Sequence, residues 1–162
     1  MPVAEPFIQI ELRNAKELTA KFSQSPEHMF IALNHALRNS GDLLTPQIKE
    51  ETPIGANRKL RNTTVYQVLG KADDQRMEIR QSAYSRGGFP YGVAVRHGTR
   101  PHFPPPDALV PWVIAKLHVQ EKRARSVAFL IARKISKVGT PANPYHIRVL
   151  ERNIPRLIEI MK

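Results

Sequence analysis

The sequence contains no cysteine. That excludes a disulfide framework, thiolate-bound zinc and cysteine catalysis, and it suits a reducing compartment. No stretch approaches the about 20 apolar residues that a membrane span needs, so no membrane role is expected. The opening residues, MPVAEPFIQIEL, do not place a basic segment before an apolar one, which argues against a secretory signal. A Gly-rich phosphate loop of the Walker or dinucleotide type is also missing. Aromatic residues make up 7% of the chain, with a single Trp, so few rings remain for stacking on bases. Acidic residues are scarce in one half: residues 91–162 hold 4 Asp/Glu against 13 Lys/Arg, whereas residues 1–90 hold 10 against 12.

Positive charge is what the chain has in quantity. The net charge is +11, and +9 of it falls after residue 90. Such an imbalance points to a polyanionic or acidic partner for the C-terminal half, nucleic acid or an acidic protein surface. A solvated basic face that only aids solubility is the simpler alternative. A chain of 162 residues with 41% apolar content can bury one self-sufficient core. It reads as a single α+β domain over 1–162, with a proline-rich arm and a helical insertion over 100–140.

Taken in order, residues 7–12 alternate in part and suggest a short strand or an extended arm. A short helix is expected over 15–22. Ser25, Pro26 and Glu27 then suit a helix start, through a capping hydroxyl, a proline whose missing N–H costs nothing there, and an acid at the positive dipole end. Phe30, Leu33, Leu37, Leu44 and Ile48 hold one face, which predicts one long helix to about Glu51 bent near Pro46, or two helices broken near Gly41. Residues 63–69 and 76–82 read as the strands of a hairpin, with Met77 and Ile79 on an apolar face and Glu78 and Arg80 on a wet one. Val93 and Val95 alternate, which predicts a third strand over 92–96. Residues 100–106 carry four of the chain's prolines and read as an extended, stiffened arm.

After the arm, Asp107 is the expected cap of a helix carrying Leu109, Trp112 and Val113. A further helix over 121–138 is expected to bury Val127, Leu130, Ile131, Ile135 and Val138 and to end at Gly139. The last helix starts after Asn143-Pro144. Its expected stripe is Ile147, Leu150, Ile154, Leu157, Ile158 and Met161, with a kink or break at Pro155.

Chemistry is hard to place on these residues. His97 and His102 flank the arm, but a metal site needs three or four ligands, and their only nearby carboxylate in sequence is Asp107. His28 and His35 read as surface or satisfied core histidines. Asp73-Asp74 is too isolated for a two-metal site. No catalytic, cofactor-binding or metal-binding residue is assigned, and an enzyme is not expected. Cations are plentiful by contrast: Arg86, Arg96 and Arg100 near the Gly-Thr turn, then Lys122, Arg123, Arg125, Arg133, Lys134 and Lys137. A non-specific nucleic-acid-binding basic module is one reading of them.

The order of elements supplies the other reading. A long helix ends in Thr52-Pro53, and a turn leads to Leu60-Arg61 before the first hairpin strand. A third strand has the form Tyr91-Gly92-x-x-Val95-x-x-Gly98-Thr99, and Gly139-Thr140-x-x-x-Pro144-Tyr145 introduces the last helix. Over about residues 14–155 this resembles the neck and tail-completion proteins of long-tailed bacteriophages, the minor tail protein Z-like group. The resemblance implies an α+β fold with a small antiparallel sheet of three to four strands packed on the long N-terminal helix, followed by C-terminal helices. It implies a structural virion protein, assembled in the host bacterial cytoplasm, that forms a homo-oligomeric ring, sixfold by analogy, at the head-proximal end of the tail. The implied partners are the tail terminator, tail tube and head connector, with non-specific proximity to packaged DNA. Candidate interface or DNA-channel residues are then Arg86, Arg96, Arg100, Pro101, His102, Phe103, Lys122, Arg123, Arg125, Arg133 and Lys137.

Overall fold

The computed structural model describes residues 6–11, 26–56, 58–71, 74–85 and 88–161. The helix expected over 15–22 and the Ser25 cap lie outside them. In chain order the elements are β1 (Ile8–Glu11), α1 (Pro26–Glu51), α2 (Lys59–Asn62), β2 (Thr64–Leu69), β3 (Arg76–Gln81), α3 (Tyr91–His97), α4 (Pro106–Leu117), α5 (Glu121–Val138) and α6 (Tyr145–Ile160). The class is α+β, with a small antiparallel sheet, a long N-terminal helix and C-terminal helices. The chain divides into two compact units. The first comprises Met1–Thr52, Thr63–Ser82 and Tyr145–Lys162, and the second comprises Pro53–Asn62 and Ala83–Pro144. The expected arm and insertion over 100–140 lie inside the second.

The first unit is built on the three-stranded sheet, in the order β1-β3-β2. The hairpin pairs Thr64 with Gln81 through to Leu69 with Arg76, and β1 pairs Ile8 with Ile79 and Ile10 with Met77. β1 therefore supplies the third strand that the sequence pattern assigned to 92–96. On the inner face Met77 and Ile79 are fully buried, and Ile8 joins them. α1 runs unbroken through Gly41 and Pro46, burying Leu37, Leu44 and Ile48. Gly41 is there for space: a Cβ on it would lie 2.4–2.6 Å from ring atoms of Tyr66, whose hydroxyl donates to Asp42 at 2.7 Å. Pro46 is exposed, as is Asp42 one turn earlier, so the carbonyl that loses its partner faces water.

A buried amide ties this unit together. Gln81, at the end of β3, donates to Thr64 Oγ1 at 2.9 Å and to Thr52 Oγ1 at 3.4 Å, and its carbonyl accepts the Tyr145 hydroxyl at 2.7 Å. Thr52 in turn donates to the Ile48 carbonyl at 2.6 Å. The end of α1, both hairpin strands and the first residue of α6 thus share one satisfied polar node inside an apolar core, where each bond is worth more than in water. α6 continues past Pro155 without the expected break, because Pro155 and Glu151 both face solvent.

The other face of the sheet holds a buried acid. Glu78 is 3% exposed, with Arg76 Nε donating to one oxygen at 3.0 Å and Arg80 donating to the other. Burial by itself would raise its pKa, but the two guanidinium hydrogen bonds outweigh it and hold the carboxyl below the usual carboxylate range.

Where the Val93 and Val95 alternation suggested a strand, residues 91–97 form a helix. A segment this short fits either period. Its flanks decide it: Pro90 accepts the Val93 N–H at 3.0 Å, Gly98 ends the helix at φ +73°, and buried Gly92 and Arg96 stand four apart on one side. Just before β2, Lys59 and Arg61 belong to the single-turn α2, and Arg58 precedes it at φ +53°.

Two measurements follow. Tyr145→Phe strands the buried Gln81 carbonyl and is expected to cost about 1–3 kcal/mol in urea unfolding, against near zero if the amide needs no donor. Because the folded Glu78 pKa is depressed, its stabilisation is present above the unfolded value near 4.3 and fades as pH falls through the folded value. Glu78→Gln is therefore expected to flatten the acid side of the stability profile; an unchanged profile would mean that the arginine clamp contributes nothing.

Candidate assembly and anion-binding surfaces

The second unit is organised around a helical hairpin, α4 and α5. Leu117 ends α4, His118 adopts a left-handed conformation at φ +51°, and Glu121 begins α5. The buried side of α5 is a row of alanines, Ala124, Ala128 and Ala132, all at 0% exposure. Val113 of α4 packs on it, with Leu109, Val110, Val119, Val127 and Ile131 around the contact. The larger residues expected inside divide: Val127, Ile131 and Ile135 are half-buried, whereas Leu130 and Val138 are 61% and 66% exposed. Small side chains let two helices approach closely, so the core side here is marked by size and not by hydropathy. Of the residues expected along this helix, Val113 is fully buried and Trp112 is 38% exposed. Asp107 does not cap α4. It stands in the first turn, after Pro106, and pairs with Arg125 at 3.1 Å.

The two Gly-Thr turns noticed in the sequence meet face to face. Thr99 N–H donates to the Thr140 carbonyl at 3.0 Å, Thr140 N–H to the Thr99 carbonyl at 3.3 Å, and the two hydroxyls lie 2.8 Å apart. Gly98 and Gly139 have matching left-handed φ values of +73° and +71°. A Cβ on Gly139 would lie 2.0 Å from the Thr99 carbonyl oxygen, and one on Gly98 2.5 Å from that of Thr140. Gly139 also caps α5, donating to the Ile135 carbonyl at 2.8 Å. This clasp joins the ends of α3 and α5, and an Asn143 N–H bond to the Val95 carbonyl at 3.0 Å extends it.

The proline arm leaves directly from the clasp. Arg100, Pro101, His102 and Phe103 are all exposed. His102 Nδ1 sits 2.9 Å from the Arg100 carbonyl, and the Phe103 ring meets Phe129 of α5 edge to face at 6.0 Å. The arm is thus laid against α5. Lys122, Arg123, Arg125, Arg133 and Lys137 are exposed on that helix, so the structure places most of the sequence's candidates, exposed, in one unit. Arg96 is the exception: at 8% exposure it is buried. Arg86 lies outside the described residues. Among the described residues no cluster of three metal-ligating side chains occurs, and His97 is exposed.

A second surface, in the first unit, went unrecognised in the sequence. The inner side of α6 is Tyr145, His146, Val149, Asn153 and Leu157. Asn153 and Gln47 of α1 exchange amide hydrogen bonds at 2.8 and 3.2 Å, and Glu51 accepts Arg152 at 2.8 Å. Of the stripe expected to be core, only Leu157 is buried; Ile147, Ile154 and Ile158 are 45%, 46% and 52% exposed. Ile10, Leu150, Ile154, Leu157, Ile158 and Met161 line an open apolar groove of about 400 Å³. The available signal was the seven-residue interval of Ile147, Ile154 and Met161, repeated by Leu150 and Leu157.

Comparison with family models, curated proteins and solved structures returns no match for this chain.

Gly139→Ala combines a disfavoured left-handed alanine with a carbonyl collision. It is expected to lower stability by more than the about 1–3 kcal/mol that a positive-φ, extended backbone alone costs a residue other than Gly. Thermal unfolding checks this, and a change inside that range would mean that the clasp parts at no further cost.

Proposed function

We propose that this chain is a structural virion protein of a tailed bacteriophage, a neck or tail-completion component that forms a homo-oligomeric ring and joins the tail to the head connector. The observation that carries the reading is the Gly-Thr clasp. Two of the motifs that carry the resemblance, 41 residues apart, bond to each other and form one physical unit. The small antiparallel sheet and long helix agree with the fold that the resemblance implies. The Tyr91 motif departs from it, because residues 91–97 form a helix running into the clasp and not the third strand.

Copies of the chain meet through α6. Ile147, Ile154 and Met161 are seven apart, and Leu150 and Leu157 repeat the same interval three residues later, the spacing of a helix-pairing seam. The occupant is a second copy, on grounds of charge. The unit that carries this seam holds twelve Lys/Arg and twelve Asp/Glu, so two such units approach without net repulsion; the other unit holds thirteen against two. The exposed arm remains for unlike partners, the tail tube, terminator and connector.

Native mass spectrometry and electron microscopy of the purified chain, alone and with its tail partners, test the reading. A ring in one or both samples is expected. A chain that stays monomeric throughout and is missing from purified virions would refute it. Ile154→Asp with Ile158→Asp is expected to leave a folded monomer, since both positions are about half exposed; rings of unchanged size would move the self-contact elsewhere.

A further inference from the structure

The whole net charge of the molecule belongs to its second unit, because the first is balanced. Within that unit α5 holds six exposed cations, Lys122, Arg123, Arg125, Arg133, Lys134 and Lys137, and one acid, Glu121. The alanine row defines the inward side of the helix. At about 3.6 residues per turn, Lys122, Arg133 and Lys137 then lie along the opposite side with Ser126 and Leu130 between them. Arg125 flanks that row on one side, and Arg123 and Lys134 flank it on the other. Lys122 and Lys137 are separated by about 22 Å at about 1.5 Å per residue. Arg125 pairs with Asp107; among the described residues none of the other five is in an ion pair.

An uncompensated row of one sign calls for a ligand whose opposite charge is equally regular. Duplex DNA carries one charge per about 1.7 Å of axis, so the row lies alongside about a dozen phosphates. Cations on both flanks of a helix about 10–12 Å across match a groove about 12 Å wide with a phosphate row on each wall. An acidic protein would instead be expected to seat an apolar anchor at the centre of its contact. The exposed apolar residues here are interrupted by cations: Leu130 has Ser126, Val127, Arg133 and Lys134 as its helix neighbours, and the half-exposed Phe129 and Phe103 rings meet edge to face.

We propose that the outward side of α5 binds the phosphate backbone of duplex DNA without regard to sequence. Lys122, Arg133 and Lys137 are the central contacts, and Arg123, Arg125 and Lys134 the flanking ones. The inference stands apart from the neck reading, whose test is particle assembly. Here the test is fluorescence anisotropy of a short labelled duplex of arbitrary sequence, titrated with the full chain from about 50 to about 200 mM salt. Affinity is expected to fall linearly on a log–log plot. Lys122→Gln with Arg133→Gln and Lys137→Gln is expected to reduce the slope by about 2.7, or about 0.9 for each phosphate no longer neutralised. A matched triple in the first unit, Arg38→Gln with Lys71→Gln and Arg156→Gln, removes the same charge from exposed positions and is expected to keep the slope. Equal reductions in the two triples would reduce the effect to net charge and overturn the site. So would the lack of salt-dependent binding at low salt. Polyglutamate that competes as well as DNA at equal charge would transfer the face to an acidic protein. If the α5 triple does not fold, as judged by circular dichroism, Arg133→Gln alone replaces it, with an expected slope reduction of about 0.9; an unchanged slope would overturn the site.

Discussion

The carbonyl oxygens of Thr99 and Thr140 occupy the places where a Cβ would stand on Gly139 and Gly98. That mutual intrusion constrains the second unit. Both glycines must adopt φ values near +70° that other residues resist, and both must lack a side chain, or the two turns cannot bridge. Through the bridge the ends of α3 and α5 are set at one point, and the arm starts one residue beyond it. Phe103 then returns to Phe129, so the arm is held at its root and partway along. α5 is tied at both ends, by the clasp at Gly139 and by the left-handed turn at His118 that leads back into α4. A helix fixed in this way presents its outward cations at settled spacings, which a binding face for a regular polyanion requires.

The first unit solves a different problem. Its sheet has three short strands and its core is small, so polar groups are recruited into the interior and satisfied there. Gln81 joins four chain segments through hydrogen bonds to Thr52, Thr64 and Tyr145. Glu78 is covered by the two arginines that neutralise it. The same economy explains α6, which turns His146, Asn153 and the Tyr145 hydroxyl inward and leaves isoleucines outside. An apolar stripe left open on a charge-balanced unit is what self-association needs, and a basic face on the other unit is what an unlike, acidic or nucleic partner needs. The two proposed kinds of contact thus fall on units of different composition.

Much of the fold was legible from residues alone. The long helix over 26–51, the hairpin, the limits of the helix at 121–138 and the glycine that ends it follow from local rules of periodicity, capping and turn chemistry, which act over a few residues. The cationic character of the arm and α5 was legible too, because charge needs no partner to be read. What tertiary structure alone decided were matters of company. The Val93 and Val95 alternation fits a strand, and β1 took that place in the sheet because Ile8 and Ile10 pair with Ile79 and Met77. On α5 the alanines went inside, where Val113 of α4 packs on Ala124 and Ala128, and Leu130 and Val138 stayed outside. On α6 the inner side was chosen by hydrogen-bond partners, Gln47 for Asn153 and Gln81 for Tyr145, which lie 106 and 64 residues away. Gly98-Thr99 and Gly139-Thr140 could be seen as similar turns, but not as halves of one clasp. Sequence patterns record what each residue prefers; which of two acceptable faces is buried depends on the neighbour that arrives from elsewhere in the chain.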